Sequence, residues 1–159
     1  MATAGGMVNA GQRALRFRRP ESVLVVVHTP DGRVLLLRRR APGGYWQSVT
    51  GALHWGETPS EAACRELHEE TGLGCAGLEP CGPSAWFEIY PQFLDRYAPG
   101  VTHNLEHVFR LELPEPVPVR TAPAEHDAWQ WMEREAALRR VGSRTNRAAI
   151  LRCVPDSRL

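Results

Sequence analysis

Residues 51–73 read GALHWGETPSEAACRELHEETGL and contain the clearest local signals in the chain. Thr58 is suited to cap a helix, Pro59 fits the first helical position, and Glu61 completes a capping box with Thr58. Gly72 can take the left-handed conformation that ends a helix. The stretch therefore predicts a helix between Thr58 and Gly72.

Three carboxylates fall within this predicted helix at spacings that bring them together. At about 100° per residue, Glu66, Glu69 and Glu70 span an arc of roughly 100°. Like charges at these spacings repel one another unless a cation lies between them. Hard oxygen ligands suit Mg²⁺, with Mn²⁺ as a substitute, and such a site predicts phosphate chemistry. The alternative is a solvated acidic face that is paired with Arg65.

The whole pattern around the helix resembles the sequence box of the Nudix family. Its fixed positions are Gly51, Glu57, Arg65-Glu66-Leu67, Glu69-Glu70 and Gly72-Leu73. The resemblance implies an α+β fold, an α/β/α sandwich with a mixed sheet and a loop-helix-loop catalytic box. It also implies that Glu66, Glu69 and Glu70 bind the metal and that Glu66 or Glu69 acts as the base. Arg65 would orient the glutamates, while Gly51, Glu57 and Gly72 would support the box.

Further segments resemble the members of this family that act on a pterin triphosphate in bacterial folate biosynthesis. They are Arg19-Pro20, residues 45–51, 87–90 and 96–102, Glu125-His126, and Ser143 with Asn146-Arg147. The resemblance implies hydrolysis of 7,8-dihydroneopterin 3′-triphosphate to the monophosphate and pyrophosphate. Two alternatives stay open: hydrolysis of an ordinary or oxidised nucleoside triphosphate, and a non-catalytic domain that binds nucleotides.

The same resemblance assigns site residues outside the box. Glu125 would be an additional metal ligand. The residues expected to contact the substrate are Arg18, Arg39, Thr50, Phe87, Glu88, Ile89, Tyr90 and Ser143.

Periodicity and turn residues predict the order of the other elements. Strands are expected at residues 22–28, 33–37, 45–50, 85–90, 107–113 and 129–132, and helices at 133–140 and 146–153. The apolar run at 22–28 is typical of a central strand that is covered on both faces. Residues 17–159 are expected to form one domain, preceded by a loose tail at residues 1–16.

Composition limits the classes of partner. Nineteen basic and eighteen acidic residues leave a formal charge of +1, which provides no overall field for nucleic acid or a membrane surface. Nucleic acid and membranes are therefore not expected as partners. The family resemblance implies a small triphosphate as the partner, and the oligomeric state is not predicted.

The cysteines and histidines give weaker indications. The four cysteines lack a C-x-x-C pair, which favours reduced thiols and a cytoplasmic location. The six histidines are scattered along the chain and are interpreted as ordinary polar residues.

Overall fold

A computed structural model describes residues 16–40 and 43–156 of the chain. The predicted tail at residues 1–16 lies outside these ranges apart from Arg16, so the domain limits remain a prediction. The strands are β1 (Glu21–His28), β2 (Arg33–Arg39), β3 (Trp46–Gln47), β4 (Val49–Ala52), β5 (Glu79–Pro80), β6 (Ala85–Glu88), β7 (His103–Glu112) and β8 (His126–Glu133). The helices are α1 (Pro59–Thr71), α2 (Arg134–Arg140) and α3 (Arg144–Cys153), with a 3₁₀ helix at Pro91–Arg96.

Strand β1 lies in the interior of a mixed eight-stranded sheet. It runs parallel to β7 along its whole length and antiparallel to β4 and β2. Val23 to Val27 are all buried, which explains the unbroken apolar run, since neither face of this strand meets water. The predicted hairpin joins β1 to β2, but only His28 and Val34 pair across it because β4 occupies the other half of β1.

Two apolar clusters lie on opposite faces of the sheet. On one face, Val23 and Val25 of β1 pack with Ala63 and Leu67 of α1. On the other face, Leu24 and Val26 belong to a cluster that includes residues of α2 and α3, such as Ile150. The predicted α/β/α sandwich with a mixed sheet is confirmed.

The box helix begins and ends where the sequence predicts. The Thr58 hydroxyl accepts a hydrogen bond from the Glu61 N–H at 3.2 Å, and the Glu61 carboxylate accepts one from the Thr58 N–H at 3.5 Å. Gly72 ends the helix with φ of 75°, and its N–H donates to the carbonyl of His68. These bonds satisfy backbone groups that a helix terminus would otherwise leave unpaired.

Several strands begin or end at other residues than predicted, because their limits depend on contacts with distant parts of the chain. The segment at 45–50 is split at Ser48, because the Ser48 N–H donates to Oδ1 of Asn146 instead of to a neighbouring strand. Strand β7 starts at His103, earlier than predicted, and its first residues pair with β1 and β6. Strand β5 and the 3₁₀ helix were not predicted; both are too short to produce a periodic pattern.

The expectation of reduced cysteines is wrong. Cys64 is bonded to Cys75 and Cys81 to Cys153, with Cα–Cα distances of 5.3 and 6.2 Å. The second pair is 72 residues apart, so close sequence spacing gives no sign of it. The cytoplasmic location loses the support that it drew from reduced thiols. Among the described residues, no helix combines the length and apolar character that crossing a membrane requires.

Candidate active site

Charged side chains from distant parts of the chain line a pocket of about 460 Å³. It is lined by Glu66 and Glu70 of α1 and by Glu125, which immediately precedes β8. Arg18, Arg19, Arg39 and Thr50 also line it, as do Trp55 and the backbone region of Gly51. Carboxylates and guanidinium groups in one cavity are suited to bind a cation and a polyanion together.

Glu70 is the most deeply placed carboxylate, with 2% of its surface exposed. Its Oε2 accepts a hydrogen bond from the Thr50 N–H at 3.2 Å. Burial, reinforced by the negative charge of Glu66, raises the pKa of Glu70 to about 9. A cation beside this group would favour the ionised form, so the site fits a bound metal electrostatically.

Glu70, Glu125 and His126 each offer a ligand atom, and these atoms lie within 4.8 Å of one another. His126 was interpreted from the sequence as an ordinary polar residue, yet the fold brings its ring to the carboxylates. It is 1% exposed, and burial lowers its pKa, which favours the neutral form that can ligate a metal. Its position next to Glu125 was the only sequence signal that it lies near the candidate metal site.

Glu66 approaches the backbone of β4. A Cβ atom built on Gly51 would overlap the Glu66 carboxyl group, so only glycine leaves room for it. Burial raises the pKa of Glu66, although its ion pair with Arg65 at 2.8 Å opposes that shift. The support that the box was expected to draw from Gly51 thus has a concrete cause: the glycine makes space for the Glu66 carboxylate.

Arg65 and Glu57 form a two-pronged ion pair behind these carboxylates. The Nε and Nη2 atoms of Arg65 donate to the two Glu57 oxygens, each at 2.8 Å. Nη2 also donates to the Ala52 carbonyl at 3.1 Å, and Nη1 donates to Oε1 of Glu66 at 2.8 Å. The Arg65 hydrogen bond is the main cause that lowers the pKa of Glu57 to about 2. Arg65 is therefore positioned to orient Glu66 relative to the loop before α1.

Glu69 is more exposed to solvent than Glu66 and Glu70. Its side chain is 56% exposed, and its Oε2 is 3.4 Å from Nη1 of Arg65. It is absent from the lining of the pocket that contains Glu66 and Glu70. The roles of Glu69 as metal ligand or base remain predictions.

The expected substrate residues divide into two groups. Arg18, Arg39 and Thr50 line the pocket with the carboxylates. Phe87 and Glu88 line a separate pocket, Ile89 is buried, and Tyr90 is 66% exposed. Ser143 caps α3 by accepting a hydrogen bond from the Asn146 N–H. The substrate roles of this second group also remain predictions.

Residues 18–153 match the model of the NUDIX domain. With a match over most of its length, the chain belongs to the Nudix hydrolase family, and the predicted family resemblance is confirmed.

Several of the proteins that are similar to this chain are curated as the same enzyme, a dihydroneopterin triphosphate diphosphatase. The dihydroneopterin triphosphate diphosphatase of Escherichia coli K12 is 41% identical over 139 residues, which cover 84% of this chain and 91% of that protein. The Haemophilus influenzae protein of the same name is 39% identical over 142 residues, covering 86% and 88% of the two chains. The solved structure of the E. coli dihydroneopterin triphosphate pyrophosphohydrolase superposes with a TM-score of 0.78 at 40% identity, covering 87% of this chain and 97% of that one.

Proposed function

We propose that this Nudix hydrolase converts 7,8-dihydroneopterin 3′-triphosphate to the monophosphate and pyrophosphate with the help of Mg²⁺. The observation that carries the proposal is the meeting of Glu66, Glu70 and Glu125 with Arg18 and Arg39 in one pocket. The similarity to the curated diphosphatases over most of both chains supports this substrate.

The residues that would hold the metal are Glu70, Glu125 and Glu66, with His126 beside them. Oxygen ligands of this kind suit Mg²⁺. When bound, the metal supplies charge neutralisation on phosphate oxygens and a lower pKa for the attacking water.

The arginines would bind the phosphates, and Glu66 would act as the base in addition to its place beside the metal. Arg18 and Arg39 would hold the phosphate chain by charge-assisted hydrogen bonds, for which a planar guanidinium is well suited. Glu66 is better placed than Glu69 to take the proton from water, because Glu66 lies in the pocket and burial raises its pKa. Arg65 keeps the Glu66 carboxylate in place through its contacts with Glu57 and Ala52.

The test compares substrates under one set of conditions. The purified protein is incubated with Mg²⁺ and with dihydroneopterin triphosphate, dGTP or 8-oxo-dGTP, and kcat/KM and the released product are measured. We expect pyrophosphate release with the pterin substrate strongly preferred. Preference for a nucleotide would replace the proposed substrate, and an absence of Mg²⁺-dependent cleavage of all three would overturn the proposal and favour a binding domain.

A further inference from the structure

A second pocket of about 460 Å³ lies beside α3. Its lining includes Trp86 and Phe87 of β6, Glu106 of β7, and Arg144 and Thr145 of α3. Aromatic side chains next to a few polar groups are typical of a site for a flat heterocycle. The catalytic carboxylates do not line this pocket.

Glu106 is the unusual member of this lining. It is 4% exposed, and among the described residues its Oε1 has no hydrogen-bond partner. Its carboxyl group interacts with the side chain of Thr145, while burial raises its pKa. A buried carboxyl oxygen without a partner costs free energy, and a ligand that donates hydrogen bonds would remove that cost.

The strand register places this pocket close to the catalytic one. Ser22 of β1 pairs with Ala52 on one side and with Glu106 on the other. Ala52 lines the catalytic pocket, and Glu106 lines the second pocket. Because neighbouring strands are separated by about 4.8 Å, Ala52 and Glu106 are roughly 10 Å apart across the sheet. A heterocycle in one pocket and phosphates in the other are therefore compatible with one extended substrate.

We propose that the second pocket holds the pterin ring and that Glu106 selects its aminopyrimidinone edge. This edge carries an exocyclic amino group next to a ring N–H, so it presents two adjacent donors. The Glu106 carboxylate can accept from both, as carboxylates do from paired donors. Phe87 supplies an apolar wall beside the ring. The inference rests on the proposed function and names the residue that determines its substrate specificity.

The first experiment needs no variant. GTP and ITP carry the same triphosphate but differ in the exocyclic amino group, and GTP shares the pterin edge. A site that pairs with this group should favour GTP over ITP in kcat/KM by about tenfold or more. Equal values for the two nucleotides would contradict the role of Glu106.

The second experiment compares Glu106→Gln with Glu112→Gln. The control makes the same chemical change on the same strand at an exposed position. For Glu106→Gln we expect KM for dihydroneopterin triphosphate to rise about 10- to 100-fold with little change in kcat, since one charged acceptor is lost away from the reacting phosphates. The preference for GTP over ITP should shrink in the same variant. Thermal unfolding of both variants verifies that they are folded.

A binding measurement separates this inference from the proposed reaction. Dihydroneopterin without phosphates is titrated into the wild-type protein and both variants in the absence of metal. Weaker binding by Glu106→Gln alone would support the inference even if the wild-type protein fails to cleave the triphosphate. If the wild-type protein cleaves the triphosphate but Glu106→Gln behaves like Glu112→Gln, the reaction stands and the role of Glu106 is wrong. Absence of dihydroneopterin binding by the wild-type protein would also overturn the inference.

Discussion

At the scale of single residues, Gly51 decides whether Glu66 can reach its position. We expect Gly51→Ala to lower kcat by roughly 100-fold, because the added Cβ overlaps the Glu66 carboxyl group and an ångström-scale displacement has effects of this size. Gly74→Ala is the matched control, since a Cβ there meets no atom within 4 Å. Steady-state kinetics measures both variants. Equal rates for Gly51→Ala and the wild-type protein would refute the packing argument.

Glu70 is proposed to bind the metal, but burying its carboxyl group lowers the free energy of unfolding of the metal-free protein. Its buried carboxyl has a pKa raised to about 9, so Glu70→Gln should raise the free energy of unfolding of the metal-free protein at neutral pH. The same change should lower turnover by roughly 10³-fold and reduce the stabilisation that Mg²⁺ provides. Urea unfolding in EDTA and in Mg²⁺, with turnover assays, measures these effects. A folded variant with nearly normal turnover would exclude Glu70 as a metal ligand.

The pKa of Glu57 is lowered, whereas that of Glu70 is raised, so ionised Glu57 stabilises the folded protein. Because Arg65 lowers its pKa to about 2, the ionised Glu57 stabilises the fold above pH 4.5, and this contribution is lost as the pH falls towards 2. Glu57→Gln should therefore be less stable than the wild-type protein at pH 7, and the difference should narrow at pH 3. Urea unfolding at the two pH values measures this. A difference that is unchanged between them would argue against the ion pair as its cause.

At the scale of the elements, the start of α1 depends on its cap. Thr58→Ala should lower the free energy of unfolding by about 1 kcal/mol, because the Glu61 N–H loses its acceptor. For a chain of this size, that corresponds to a decrease in Tm of about 2–4 °C. Ser60→Ala, at an exposed position in the first turn, is the control. Calorimetry compares the two, and an unchanged Tm in Thr58→Ala would show that the cap contributes little.

Elements whose limits depend on neighbouring residues were predicted correctly, whereas features that depend on residues far along the chain were not. Helix α1 was predicted to its ends because Thr58, Pro59 and Gly72 act on adjacent backbone groups. The break at Ser48 was not predicted, since it depends on Asn146, which lies far along the chain. Family resemblance named Glu125, but chain spacing alone did not connect His126 or Glu106 with a site.

At the scale of the whole molecule, the disulfide between Cys81 and Cys153 links the end of β5 to the end of α3. The disulfide closes a loop with a sequence separation of 72 residues. It lowers the entropy of the unfolded chain, which raises the free energy of unfolding by about 4 kcal/mol. Reduction should therefore shift unfolding to lower urea concentration. Urea unfolding with and without dithiothreitol tests this. The control is the Cys81→Ser, Cys153→Ser double variant, in which dithiothreitol should shift the unfolding midpoint less because only the Cys64–Cys75 disulfide remains. Identical midpoints for the wild-type protein in both conditions would contradict the prediction.

The pairing of β8 with β2 has a consequence for biosynthesis. This pairing brings Glu125 and His126, from late in the chain, to Glu70 and Arg39 from its first half. On the ribosome, the earlier strands and α1 are made long before the partner that completes the cluster. The nascent chain therefore cannot complete the proposed catalytic centre until β8 has emerged and paired with β2, and pairing of distant segments is intrinsically slow. Any activity that depends on this cluster can therefore begin only after β8 has been made and has paired with β2.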